Sequence, residues 1–355
     1  VIKDYTIQPK SVIPSVDKQV YDDNDEANGG NREGWAESAD HNINETFQFA
    51  LIGTIPNNAH LKDYTEGYTV KFTDTMSAGV TFESIASVTV NETPVASTAY
   101  EVKGVEPGDA GKTWTLTMDV KSILGESFGT GGINVIVTYN AHLNENAIVH
   151  ANSATETQTN SNTVYMEYSN NPNTGGEEDM GKTASDSVWV FTYSVQNKKV
   201  DGSGNSLAGA GFTLLKDGTG VKLIKGENGD YVVADQSKAE GSVTEMITDG
   251  TGVFNVKGLD AGTYVLRETT TPPGYNVCPD TTVTINASHE ENVSSTSANL
   301  LLSGDGHSNT IVNQSGAVMP HTGGIGTEIF YLTGFSLILC AAVILIERKK
   351  VHNVK

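Results

Sequence analysis

The stretch Tyr264–Tyr275 reads YVLRETTTPPGY. Its first half has the aromatic and β-branched content of a strand, and Pro272, Pro273 and Gly274 then signal a turn. Glu268 sits inside the strand. A strand glutamate ordinarily pairs with a neighbour such as Arg267 or with a surface lysine. Working outward, similar short runs fill residues 188–316: VWVFTYSVQNKKV, AGFTLLK, YVVA, GVFNVKGL, TTVTI and NTIVN. Turn residues separate them, the pattern of a small antiparallel β-sandwich.

The same texture occupies residues 15–172, with ETFQFALIGTI, GYTVKFTDTM, VTFESIASVTV, TWTLTMDV, INVIVTYNAHL and NTVYMEYS. The fold class expected is therefore all-β, as two tandem immunoglobulin-like sandwiches. Residues 173–187, rich in Asn, Gly and acidic side chains, read as an interdomain linker. The polar stretch DDNDEANGGNREGWAESAD, residues 22–40, reads as a solvated loop. As a calcium site it lacks the spacing of an EF-hand loop.

The chain has 355 residues, with 43 acidic against 22 basic side chains and a net charge of −21. No basic stripe is available to neutralise phosphates, which argues against nucleic acid. Cys278 and Cys340 are the only cysteines, and Cys340 falls in the apolar run described below, so no intradomain disulfide is expected. The histidines are scattered, and no Ser/His/Asp or metal-ligand spacing stands out. The expectation is a non-enzyme without metal or cofactor. VIKDYTIQPK at the start lacks the apolar core of a signal peptide. We therefore expect the chain to be a fragment, missing a signal peptide and a further N-terminal domain.

Residues 329–346 are apolar and uncharged, and are followed by Arg348, Lys349, Lys350 and Lys355. Eighteen such residues suit one membrane helix, with the basic end in the cytosol. Just before it, Met319-Pro320-His321-Thr322-Gly323 resembles the cell-wall sorting signal Leu-Pro-x-Thr-Gly of Gram-positive surface proteins, with Met319 where Leu is usual. The resemblance implies that a sortase cysteine attacks the Thr322 carbonyl and releases Gly323 with the helix, residues 319–355 being a temporary anchor in the membrane.

NKKVDGSGNSLAGAGFTLLK, GLDAGTYVLRETTTPPGY and NTIVN resemble a collagen-adhesin B-type domain, and YVLRETTTPPGY resembles its E-box. VDKQV, KFTDTM, AHLNENAIV and NTVYMEYSNNP resemble the A-type domain of the same proteins. Together they are similar to a sortase-assembled Gram-positive backbone pilin. That family staples each domain with a Lys–Asn isopeptide bond assisted by a buried acid. Burial would neutralise the lysine and keep the acid protonated. The resemblance implies Lys199, Glu268 and Asn313 in the second domain, with Lys198 as rival nucleophile. In the first it implies Lys18 and Asp74, with Asn162 as the asparagine. Asn170, Asn160 and Asn152 remain open there.

QPKSV places Lys10 where the family carries its pilin-motif lysine, the amine that accepts Thr322 of the next subunit; residues 1–14 would close the missing domain. Gln8 stands where Tyr is usual. Expected partners are a pilin-specific sortase, identical subunits, tip and base pilins, and peptidoglycan, on the cell surface in a pilus or cell wall. The alternative is a monomeric wall-anchored adhesin built from the same domains.

Overall fold

The computed structural model describes residues 13–23, 34–58, 60–150, 160–174, 178–238, 240–289, 300–303 and 308–316. Two β-sandwiches follow one another. In the first, one sheet runs in the order Gly34–Ala36, Ser15–Asp22, Thr46–Ile55, Ile133–Leu143, Val80–Val90 and Thr93–Pro94. The facing sheet runs Ser38–Asp40, Asp186–Phe191, Asn160–Ser169, Thr69–Met76, Thr113–Asp119 and Tyr100–Lys103, with Met180–Lys182 also paired to Asn160–Ser169. Strand Ile133–Leu143 shows why these segments form a sandwich. Ile133, Val135, Val137, Tyr139, Ala141 and Leu143 are all buried, and the residues between them are half-buried. A period of two turns one face inward.

The second sandwich has one sheet ordered Leu223–Lys225, Asp230–Val233, Asn255–Leu259, Tyr193–Asp201 and Ser308–Asn313. The other is ordered Thr219–Gly220, Gly211–Lys216, Gly262–Thr270, Thr281–His289 and Leu300–Ser303. Phe212 and Phe254 stack across the core with centroids 4.5 Å apart.

The expected linker, residues 173–187, departs from its reading. It contains strand Met180–Lys182 and the first residues of Asp186–Phe191, which pairs with Asn160–Ser169 and with Ser38–Asp40. The run from Val188, read as the second domain's opening strand, is thus divided at Thr192. Its apolar residues fill both cores. Val188 and Val190 pack in the first, Trp189 and Phe191 in the second. One strand buried on both faces needs a continuous apolar run, and polar residues upstream hid its start.

Backbone contacts complete the junction. Ile43 N donates to Gly258 O at 3.0 Å and His150 N to Thr192 O at 2.8 Å. Asp260 N donates to Asn42 Oδ1 at 3.1 Å. Among the described residues no helix is long and apolar enough to cross a membrane. The expected membrane helix over 329–346 lies outside them, as do Lys10, Cys340 and the expected sorting signal Met319–Gly323.

Candidate crosslinking sites

Lys18 lies in strand Ser15–Asp22 of one sheet, and Asp74 in strand Thr69–Met76 of the other. Both are fully buried. The Lys18 amine contacts Asp74 Oδ2 directly. It also lies 5.0 Å from the Phe49 ring centre and 5.4 Å from that of Tyr139. Burial pushes the Lys18 amine down, against the attraction of Asp74. Burial likewise pushes the Asp74 carboxyl up, against the attraction of Lys18. Both directions favour a neutral amine beside a neutral acid, since an apolar surround penalises each charged form.

Asn162 is buried on strand Asn160–Ser169, beside Asp74's strand in the same sheet. Tyr139 connects the group. Its hydroxyl donates to Asp74 Oδ1 at 3.1 Å and accepts from Asn162 Nδ2. It is 3.5 Å from the Lys18 amine. Trp114 Nε1 donates to Asp74 Oδ1, also at 3.1 Å. Asn162 Oδ1 is buried and has no hydrogen-bond partner among the described residues.

The other asparagines stand apart. Asn160 is buried but committed, accepting from Ile148 N and donating to the Ile148 and Val190 carbonyls. Asn170 is exposed, and Asn152 lies outside the described residues. Tyr139 and Trp114 were not singled out in the sequence. The signal for Tyr139 was its place on the inward face of an alternating strand, where a hydroxyl must find a partner.

The second domain repeats the chemistry with different geometry. Lys199 and Asn313 are fully buried, and Glu268 is 7% exposed. The Lys199 amine donates to Asn313 Oδ1 at 2.6 Å and to the Ile311 carbonyl at 3.3 Å. Asn313 Nδ2 donates to Glu268 Oε1 at 2.6 Å, and Cys278 N holds the other carboxylate oxygen at 2.7 Å. Here the acid faces the amide nitrogen, and the lysine takes the oxygen. Burial pushes the Lys199 amine down, opposed by Cys278 and Glu268. Lys198, the rival, points to solvent.

Both sites unite a lysine, an acid and an asparagine from separate strands. Residues 55–172 match the model of the Gram-positive pilin backbone subunit 2, Cna-B-like domain, and residues 193–299 match the SpaA prealbumin-like fold domain. By its domains, this chain is a Gram-positive backbone pilin. The first match carries a Cna-B-like description where an A-type domain was expected. That expectation rested on short motifs, which two kinds of sandwich can share.

Solved pilins have a similar fold. The 35 kDa C-terminal fragment of the major pilin GBS80 of Streptococcus agalactiae matches at 22% identity and a TM-score of 0.57, over 84% of this chain and 99% of the fragment. Full-length RrgB of Streptococcus pneumoniae matches at 15% and 0.52, over 87% and 75%. Full-length SpaD of Corynebacterium diphtheriae matches at 18% and 0.51, over 85% and 68%. A search of curated proteins finds no match.

Proposed function

We propose that this backbone pilin is the major structural subunit of a sortase-assembled cell-surface pilus, and that each domain seals itself with a Lys–Asn isopeptide bond. The observation that carries the reading is the burial of a lysine, an acid and an asparagine together in each sandwich. In each reaction the neutral lysine Nζ attacks the asparagine Cγ. The new C–N bond replaces the bond to Nδ2, and ammonia leaves after receiving a proton. Asp74 or Glu268 passes protons between the incoming amine and the departing nitrogen. No oxidant or reductant is required. Each reaction occurs once, so the protein is a self-modifying building block and not a turnover enzyme.

Polymerisation is assigned to Thr322 as acyl donor and Lys10 as acceptor. The test is co-expression with the cognate sortase, followed by gel analysis and mass spectrometry of the branched peptide. A ladder with Thr322 joined to Lys10 is the expected result, and Lys10→Ala or Thr322→Ala should abolish it. A branch on Lys3 would move the acceptor. Thr322 joined solely to a peptidoglycan stem peptide would replace the pilin reading with the monomeric adhesin.

A further inference from the structure

The junction between the domains gathers acidic side chains. Asp22, Asp40 and Asp260 are buried there. Tyr193 Oη donates to Asp40 Oδ2 at 2.8 Å, and the Lys216 amine lies 3.5 Å from Asp260 Oδ2. Beside this group, Asp23, His41 and Glu45 each bring one ligand atom to within 4.8 Å of the other two. The three come from the end of one strand and from the turn that docks on the second domain. No regular spacing advertised them in the sequence.

Acidic side chains at a surface need no ion, but His41 adds a separate observation. Its imidazole is 2% exposed and stacks on Phe47, with centroids 4.3 Å apart and planes 2° from parallel. Nε2 is 2.8 Å from the Tyr21 carbonyl oxygen. A carbonyl can only accept, so Nε2 carries a proton, and in the neutral ring Nδ1 then keeps a bare lone pair. Nδ1 is buried and has no hydrogen-bond partner among the described residues. A buried acceptor left without a donor is costly. A ring nitrogen donating to a backbone carbonyl, with the other nitrogen free, is how a metal-ligating histidine is oriented.

The carboxylates are also suited to the task. Glu45 uses Oε2 to accept from Asn42 N at 3.0 Å and Asn42 Nδ2 at 2.6 Å. That fixes the side chain and leaves Oε1 available. Asp23 reaches in from the solvent side, which gives an ion an entry path. Its carboxyl is pushed up by partial burial, a direction Glu45 reinforces and His41 and Lys216 oppose.

We propose that Asp23, His41 and Glu45 form a binding site for a divalent transition cation of the zinc or manganese kind. One imidazole and two carboxylates suit such ions, whereas calcium and magnesium take oxygen ligands. Closing on an ion at roughly 2.0–2.2 Å needs side-chain rotation and no change of fold. The consequence is mechanical. His41 N donates to Phe191 O, and Ile43 N donates to Gly258 O, each at 3.0 Å. The ligands therefore bracket the turn that joins the two sandwiches. A bound ion would tie that turn to the end of strand Ser15–Asp22 and stiffen the joint between domains.

The test uses the tag-free full chain, stripped with chelator and dialysed against zinc or manganese chloride. One tightly held ion per chain is expected, with a rise in the unfolding temperature. Cobalt substitution should give visible d–d bands from a site with one nitrogen ligand. Asp23→Asn and Glu45→Gln change side chains that are not fully buried, and each should weaken binding by about ten-fold or more. Failure to retain an ion overturns the proposal, as does retention unchanged in the Asp23→Asn/Glu45→Gln double variant. Calcium displacing zinc from the site would overturn the ion class.

Discussion

The Lys199 amine meets the Asn313 side chain between two neighbouring parallel strands, with Nζ 2.6 Å from Oδ1. In the register Lys199 faces Ile311, and Asn313 lies two residues further along. Two residues restore the same face of a strand, which is how the side chains reach each other. Strand Tyr193–Asp201 follows directly from the strand shared by both cores. Ser308–Asn313 ends shortly before the proposed sorting motif. An isopeptide bond here would pass tension from the first domain straight to the C-terminal end, bypassing the rest of the second sandwich.

The intact mass of the soluble region should fall short of its sequence mass by two ammonia molecules, one for each domain. Glu268→Ala or Lys199→Ala should restore one. Lys198→Ala should restore none, because that side chain points to solvent. An unshifted mass in the wild type would remove both assignments.

Loss of the second crosslink should lower stability substantially. The proposed partners Lys199 and Asn313 are 114 positions apart, and closing a loop of about 100 residues constrains the unfolded chain by roughly 4–5 kcal/mol in the disulfide analogy. Glu268→Ala should therefore keep its β-rich circular dichroism yet unfold at much lower temperature and be cut faster by trypsin. Equal melting with and without the bond would contradict this.

Gly258 supplies a test of the joint. Its φ is +81°, and an added Cβ would lie 2.8 Å from the Ile43 side chain. Gly258→Ala combines an unfavourable backbone conformation with overpacking, at about 1–3 kcal/mol. The melting temperature should fall while both ammonia losses persist. Disappearance of either loss would show that the crosslinks depend on the interdomain contact.

The strands were legible in the sequence, and so were the candidate lysines Lys18 and Lys199, because both are local features. The asparagine of the first domain was not. Four candidates share one neighbourhood, and partners distant in sequence separate them: Asn160 is held by the Ile148 and Val190 backbone, whereas Asn162 meets Tyr139. The contacts of Tyr139 and Trp114 with Asp74 span 65 and 40 positions, beyond the reach of a motif. Strand Asp186–Phe191 was concealed by the linker-like composition before it. The Asp23, His41 and Glu45 cluster depends on how a turn docks between domains, which no spacing rule encodes.

Glu37 should make stability depend on pH. Partial burial, then Asp186 and Asp17, push its carboxyl up to about 7 from an ordinary 4.5. The folded chain thus keeps this proton to higher pH than the unfolded chain does. Stability from this group is complete below about pH 4.5 and is lost as pH rises towards 7. Glu37→Gln removes the charge that causes the loss. Its urea midpoint should exceed that of the wild type at about pH 8 and match it near pH 4. A midpoint lower than wild type at pH 8 would show that the Glu37 charge is stabilising.

Tyr139 should separate the two crosslinking reactions. Its hydroxyl lies between Asp74 and Asn162, and burial holds it protonated well above the ordinary tyrosine range. It can donate to Asp74 while holding the Asn162 amide in place. The second domain has no such intermediary, because Glu268 bonds Asn313 directly. Tyr139→Phe keeps the ring that packs against Phe49, Phe82 and Trp114 and removes only the hydroxyl. The variant should fold and form the second bond normally, while the first forms slowly or incompletely. Intact mass should then show a mixture of species lacking one and two ammonia molecules, and peptide mapping should find Lys18 unlinked in the heavier one. Complete loss of both ammonia molecules at the wild-type rate would show that the hydroxyl has no part in the reaction. Loss of the first bond together with unfolding of that domain would assign Tyr139 a structural role instead.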